Sequence, residues 1–187
     1  PLAASSIARL LASLRGFHGF VQNERLSETD PTESLENPRL ARPLPKALTI
    51  TQTRALLEAF SGEDPASLRS RALLETLYAS GARVSEVCAL DVDDLGILAG
   101  REAEDAGENP ITLVTVTGKG NKQRLVPLGE YAVKALEAYL VRARPGLAQK
   151  GRGSSALFLN LRGGRLSRQS AWNIIREGAE KAGIKTT

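Results

Sequence analysis

The sequence contains no methionine, one cysteine (Cys88), one histidine (His18) and one tryptophan (Trp172). A lone cysteine excludes a disulfide within the chain and suits a reducing compartment, which places the expected location in the cytoplasm. One cysteine and one histidine are too few nitrogen and sulfur ligands for a protein-built zinc site. No apolar run approaches the roughly 20 residues of a membrane span. Arg9 and Arg15 interrupt the apolar stretch nearest the N-terminus, so it does not read as a signal-peptide core. With no methionine and Pro1 at its head, the sequence is expected to be a piece of a longer chain.

The 187 residues suffice for one good core and a small appendage, and 42% hydrophobic with 25% charged residues describes an ordinary globular chain. Net charge is only +4, but it is segregated: residues 1–116 hold 11 Lys/Arg against 17 Asp/Glu, and residues 117–187 hold 14 against 4. A basic C-terminal segment of that kind points to a polyanion, nucleic acid above all. An anionic membrane surface fits less well, because no basic amphipathic helix with exposed aromatics accompanies the charge.

Along the chain, Ile7, Leu10, Leu11, Leu14, Phe17, Phe20 and Val21 repeat at helical spacing, predicting an amphipathic helix over about 5–26 whose stripe needs a partner surface. His18 lies beside that stripe with no clustered nucleophile or ligand, and reads as a surface or satisfied helix residue. Pro31, Pro38, Pro43 and Pro45 mark an extended linker carrying Arg39 and Arg42. Thr49 and Gln52 have capping-box spacing and open a helix through about Phe60. A second helix runs from about Ser67 with Leu68, Ala72, Leu73, Leu77 and Tyr78 inward, and Gly81 ends it. Ser85–Leu90 reads as a short helix. Asp91, Asp93 and Asp94 read as a surface turn, since no glycine-turned loop of converging oxygen ligands surrounds them. Residues 100–110 read as a solvated loop. Glu130–Arg144 reads as a helix stopped by Pro145, with Val133, Leu136, Leu140 and Val141 as its apolar face. Ala156–Leu159 is a buried strand or turn. Ser167 caps a last helix to about Ala182, with Arg168, Gln169, Ser170 and Asn173 exposed at its tip and Trp172 as a core anchor.

The stretch Thr117-Gly118-Lys119-Gly120-Asn121-Lys122-Gln123-Arg124 lies between β-prone Ile111–Val116 and Leu125–Leu128 and reads as a hairpin turn. Lys119, Lys122 and Arg124 project from it. Alone it is equally a solvated turn or a rigid cationic phosphate site.

Taken with Tyr78-Ala-Ser-Gly81-Ala-Arg83-Val-Ser85-Glu86 and the leading Arg42-Pro-Leu-Pro-Lys46, this hairpin resembles the tyrosine recombinase family. The likeness is to its bacterial Xer type, XerD-like more than XerC-like, from about residue 5 to the end. It implies a mainly α fold with a small β-hairpin or sheet (α+β). Residues 1–29 would hold the last helix of a DNA-clamping domain, 30–46 a linker, and 47–187 a catalytic domain lacking its C-terminal part. It implies that Arg83 binds the scissile phosphate, Lys119 protonates the leaving 5′-hydroxyl and Glu86 supports Arg83. Lys122, Arg124, Arg168 and Gln169 are the expected DNA contacts. A preorganised guanidinium suits the charge that builds on nonbridging phosphate oxygens, and a lysine serves as general acid when burial and nearby cations depress its pKa.

The family's downstream His-x-x-Arg-type motif and tyrosine nucleophile have no match here. Tyr78, Tyr131 and Tyr139 stand in the wrong context, so the 187 residues alone are expected to be inactive. The implied protein is a site-specific recombinase working through a 3′-phosphotyrosyl intermediate in chromosome dimer resolution, without metal or cofactor. Its implied partners are double-stranded DNA, a sister recombinase in a tetramer and a cell-division DNA translocase. The rivals are a phage or transposon integrase and a non-catalytic DNA-binding regulator.

Overall fold

A computed structural model describes residues 2–39, 47–98 and 111–185, which fall into two compact units, Pro1–Ala47 and Leu48–Thr187. Arg42, Pro43, Pro45 and Lys46 of the linker, and the loop at 100–110, lie outside the described residues.

The first unit is built on α1 (Ala4–Asn23). Its apolar stripe forms as the spacing predicts, but none of its residues is buried, and Phe17 and Phe20 are 60% and 58% exposed. The chain after α1 turns back along it: Arg15 donates to Asn37 Oδ1 at 2.7 Å and to the Leu35 carbonyl. Asp30 Oδ1 accepts from both the hydroxyl (2.6 Å) and the backbone N–H (2.7 Å) of Thr32, which is buried. Arg15 thus ties Leu35 and Asn37 to α1. His18 meets Phe17 edge-on, with ring centroids 5.3 Å apart.

The second unit begins with α2 (Ile50–Leu57), opened by the expected capping box: Gln52 N–H donates to Thr49 Oγ1 at 3.2 Å, and Thr49 N–H to Gln52 Oε1 at 3.0 Å. The helix stops short of Phe60, which turns inward and is buried. Helix α3 (Pro65–Ser80) starts two residues earlier than the apolar spacing suggests. Asp64 caps it, and Pro65, lacking an N–H, fits the first turn where no acceptor is available. Leu68, Ala72 and Leu73 face the core, while Tyr78, expected inward, is 66% exposed. Gly81 ends α3 at φ 57°, and α4 (Val84–Ala89) follows at once.

After a 3₁₀ turn at Val92–Asp94 comes β1 (Leu95–Leu98), a strand too short for the sequence pattern to reveal. It completes a three-stranded antiparallel sheet with β2 (Ile111–Thr117) and β3 (Gln123–Pro127), in the order β1-β2-β3. Register places Leu95 opposite Val114 and Thr117 opposite Gln123. Alternation turns Val114 and Val116 fully into the core, as the two-residue period of a strand requires.

Helix α5 (Glu130–Arg142) packs on α3. Pro145 does not end the helical path: it sits in the first turn of a short α6 (Arg144–Ala148), where a missing N–H does no harm, and Leu147 is buried there. Val141 is exposed instead of buried, because the α5 face toward α3 is made by Ala132, Ala135, Leu136 and Tyr139. Ala156–Leu159 is fully buried in irregular backbone with isolated bridges at Asp91–Ala156 and Leu159–Arg165. Ser167 caps α7 (Arg168–Lys181) through Ser170 N–H at 3.1 Å. Trp172, expected as a core anchor, is 55% exposed; Ala171 and Ile174 fill the inward face. Among the described residues no helix is long and apolar enough to cross a membrane.

Candidate functional site

The left-handed Gly81 cap turns the chain sharply, so Arg83 becomes the residue that opens α4. Glu86, on the first turn of α4, reaches back: its Oε2 accepts the Arg83 backbone N–H at 3.0 Å, and its Oε1 accepts Arg83 Nη1 at 2.7 Å. The same carboxylate takes Arg124 Nη2 from β3 at 2.8 Å. Two guanidiniums thus share one carboxylate whose side chain is 6% exposed, whereas that of Arg83 is 74% exposed. Bonds from Arg124, from the Arg83 backbone and from the Arg83 side chain, in that order, hold the Glu86 pKa down at about 2. Glu86 is therefore a fixed anion, and Arg83 keeps donors free for a ligand.

The hairpin supplies the other wall. Its turn closes through Gly118 N–H to the Lys122 carbonyl at 2.8 Å, with Gly120 and Asn121 both at positive φ. A cleft of about 350 Å³ results, lined by Arg83, Ser85, Glu86, Thr117, Gly118 and Lys119. Arg83 and Lys119 therefore face one space. Lys119 is exposed at the rim of this cleft. The cleft holds more positive than negative charge and suits a phosphate.

The remaining sequence-predicted residues fall into two places. Lys122 is exposed on the same turn as Lys119. Arg168 and Gln169 are exposed at the start of α7 and do not line the cleft; Gln169 Nε2 donates to Asn173 Oδ1 at 3.3 Å. Arg124, expected as a DNA contact, is engaged with Glu86. Among the described residues no group of histidine, cysteine, aspartate or glutamate is arranged to hold a metal.

Two arginines are not legible in the sequence as part of this frame. Arg165 donates to the last carbonyls of α4, at 3.2 Å to Cys88, 2.6 Å to Ala89 and 3.0 Å to Leu90, and pairs with Asp91. It caps the helix that carries Glu86. The Asp91 carboxyl is pulled below its ordinary pKa by bonds from Arg165 and then Ser155, so it acts as a brace within the fold. Arg144 donates to the carbonyls of Ser154 (2.8 Å) and Ala156 (2.7 Å).

A larger cavity of about 650 Å³ opens between α2, α3 and the start of α5, lined by Ile50, Leu57, Glu75, Tyr78 and Tyr131 among others. Burial raises the Glu75 pKa there. Arg54, Glu58 and Arg71 also line it. The third tyrosine, Tyr139, is fully buried; its hydroxyl oxygen accepts Leu159 N–H at 3.0 Å, and burial pushes its pKa up.

Residues 46–187 match the model of the phage integrase family. The chain is 49% identical to the tyrosine recombinase XerD of Mycobacterium tuberculosis over 187 residues, covering 98% of this chain and 56% of the relative. It is 48% identical to XerD of Mycobacterium leprae over 190 residues, again 98% and 56%. The chain thus spans about half the length of the curated relatives it matches. Among solved structures, the XerH site-specific recombinase bound to its difH substrate in a pre-cleavage complex superposes with a TM-score of 0.69 at 18% identity, over 100% of this chain and 51% of that one. A lambda integrase dimer bound to a core site gives 0.67 at 16%, over 98% and 60%. At those identities the likeness establishes a shared fold.

Proposed function

Because this chain belongs to the phage integrase family of tyrosine recombinases, we propose that it serves a site-specific recombinase that cuts and rejoins double-stranded DNA through a 3′-phosphotyrosyl intermediate, XerD-like in resolving chromosome dimers. The observation that carries the proposal is that Arg83 and Lys119, on different elements, line one cleft. Arg83 binds the nonbridging oxygens of the scissile phosphate, where charge builds during attack. Lys119 gives its proton to the departing 5′-oxygen. Glu86 and Arg124 are positioning residues that hold Arg83. Lys122, Arg168 and Gln169 contact DNA outside the cleft. No metal or nucleotide step belongs to this reading.

The attacking tyrosine is proposed to be none of Tyr78, Tyr131 and Tyr139. Tyr139 is buried with its hydroxyl engaged, and the other two line the larger cavity and not the cleft. Residues 1–187 by themselves are therefore proposed to be inactive in cleavage. The domain reading proposed with this is a clamping-domain helix over 1–29, a linker over 30–46 and a catalytic portion from 47. Partners are duplex DNA, a sister recombinase in a tetramer and a cell-division DNA translocase, in the cytoplasm. Likeness to recombinases and integrases solved on DNA, one of them a lambda integrase tetramer on a Holliday junction, supports the DNA and the tetramer.

The test uses a suicide DNA substrate. The 187-residue chain should form no covalent adduct. In the complete protein, Arg83→Ala and Lys119→Ala should each lower adduct formation by about 10²–10³-fold, as loss of one transition-state donor or general acid does. Duplex affinity should fall far less. Equal losses of binding and cleavage would make the two residues backbone-positioning contacts instead. An adduct on any of the three tyrosines would overturn the assignment.

A further inference from the structure

Lys150, Arg152 and Arg162 line a concavity of about 570 Å³ with Gly151, Ser154 and Asn160, and among the described residues no acidic side chain lines it. All three cations are exposed, and none is in an ion pair among the described residues, although eight such pairs engage other charges. The two turns that carry them are locked together. A Cβ on Gly151 would stand 2.6 Å from the Gly163 carbonyl oxygen, so the backbones touch where no side chain fits. Asn160 Oδ1 accepts the N–H groups of Arg162 (2.9 Å) and Gly164 (3.2 Å), which shapes the second turn. Arg144 holds the first turn by the Ser154 carbonyl, and Arg165 ties the second to the end of α4. The guanidiniums of Arg144 and Arg165 are used up on carbonyls and Asp91, whereas Lys150, Arg152 and Arg162 are left facing solvent.

We infer that this concavity is a second DNA phosphate site, seating the backbone of the duplex beside the tip of α7. The inference rests on the DNA-processing reading above and adds residues that reading does not use. Three cations on a glycine-rich frame whose two turns are packed together can meet a polyanion without rearranging the backbone, and their effect is independent of base sequence. The turn bearing Arg162 leads through Leu166 and Ser167 into α7, so a phosphate held there fixes the register at which Arg168 and Gln169 meet the duplex.

The experiment measures the affinity of the 187-residue chain for a fluorescent duplex as a function of salt. The variant Lys150→Gln/Arg152→Gln/Arg162→Gln is compared with an equal-charge control, Arg54→Gln/Lys134→Gln/Lys181→Gln. The log–log salt slope should fall by about 0.9 for each phosphate that is no longer neutralised, roughly 2–3 in all, in the first variant and stay near wild type in the control. Matching slopes in the two variants would overturn the inference while leaving the recombinase reading standing. A wild-type chain whose duplex binding shows no salt dependence would overturn both. Displacement of the duplex by polyglutamate at equal charge concentration would make the occupant an acidic polypeptide and also overturn it.

Discussion

Glu86 on α4 and Arg124 on β3 meet at 2.8 Å across 38 residues of sequence, and the same carboxylate holds Arg83 at 2.7 Å. The hairpin that presents Lys119 is thereby tied to the helix that presents Arg83. One anion bridging two cations holds the two walls of the cleft together.

The depressed pKa of Glu86 has a definite pH consequence. A carboxyl at about 2 in the folded chain, against about 4.3 unfolded, adds stability that is present above the unfolded value and is lost as pH falls toward 2. Urea midpoints of wild type and Glu86→Gln should differ most above about pH 5 and converge between about pH 4.5 and 2. Parallel pH profiles would show that Glu86 is not an anion held by the two arginines.

Arg124→Ala should move the Glu86 carboxyl back toward its ordinary titration range, because Arg124 is the largest cause of the shift. Carboxyl-carbon NMR titration reads this directly. The effects of Arg124→Ala and Glu86→Ala on midpoint should also be less than additive, as expected for residues in contact.

Tyr139→Phe removes the acceptor of a buried backbone N–H, that of Leu159. Leaving this donor unpaired should cost about 1–3 kcal/mol in chemical denaturation. In the complete protein the same change should leave covalent adduct yield intact once the protein is folded.

Gly81→Ala places a Cβ at φ 57° with nothing within 4 Å to collide with, so backbone strain alone is at issue. The expected loss is about 1–2 kcal/mol. Gly81→Asn should lose less, since asparagine tolerates the left-handed region, and thermal melts of the two variants make the comparison.

Arg165→Met keeps the stem but removes the donors that cap α4 and pair with Asp91. A loss of about 1–3 kcal/mol is expected, as for other caps and charge-assisted bonds. Hydrogen exchange should quicken first in α4.

What the sequence determined by itself is whatever closes within a few residues. The Thr49–Gln52 box, the Gly81 stop, the Ser167 cap and the hairpin between β-branched runs each depend on bonds spanning a single turn, so their residue types announce them. The Arg83 and Lys119 motifs are legible because each is a short run of residues that resembles one in the tyrosine recombinase family. Only the tertiary structure decided which charges pair and which apolar residues are covered. Nothing near Arg124 in sequence reveals its ion pair with Glu86, and Arg165 meets carbonyls 75 to 77 positions away. Tyr78 and Trp172 sit at helical spacings that suit burial, yet both are exposed, because small residues such as Ala72 and Ala171 fill the inward positions there. Periodicity states which side chains share a face, but the neighbour that covers that face comes from elsewhere in the chain.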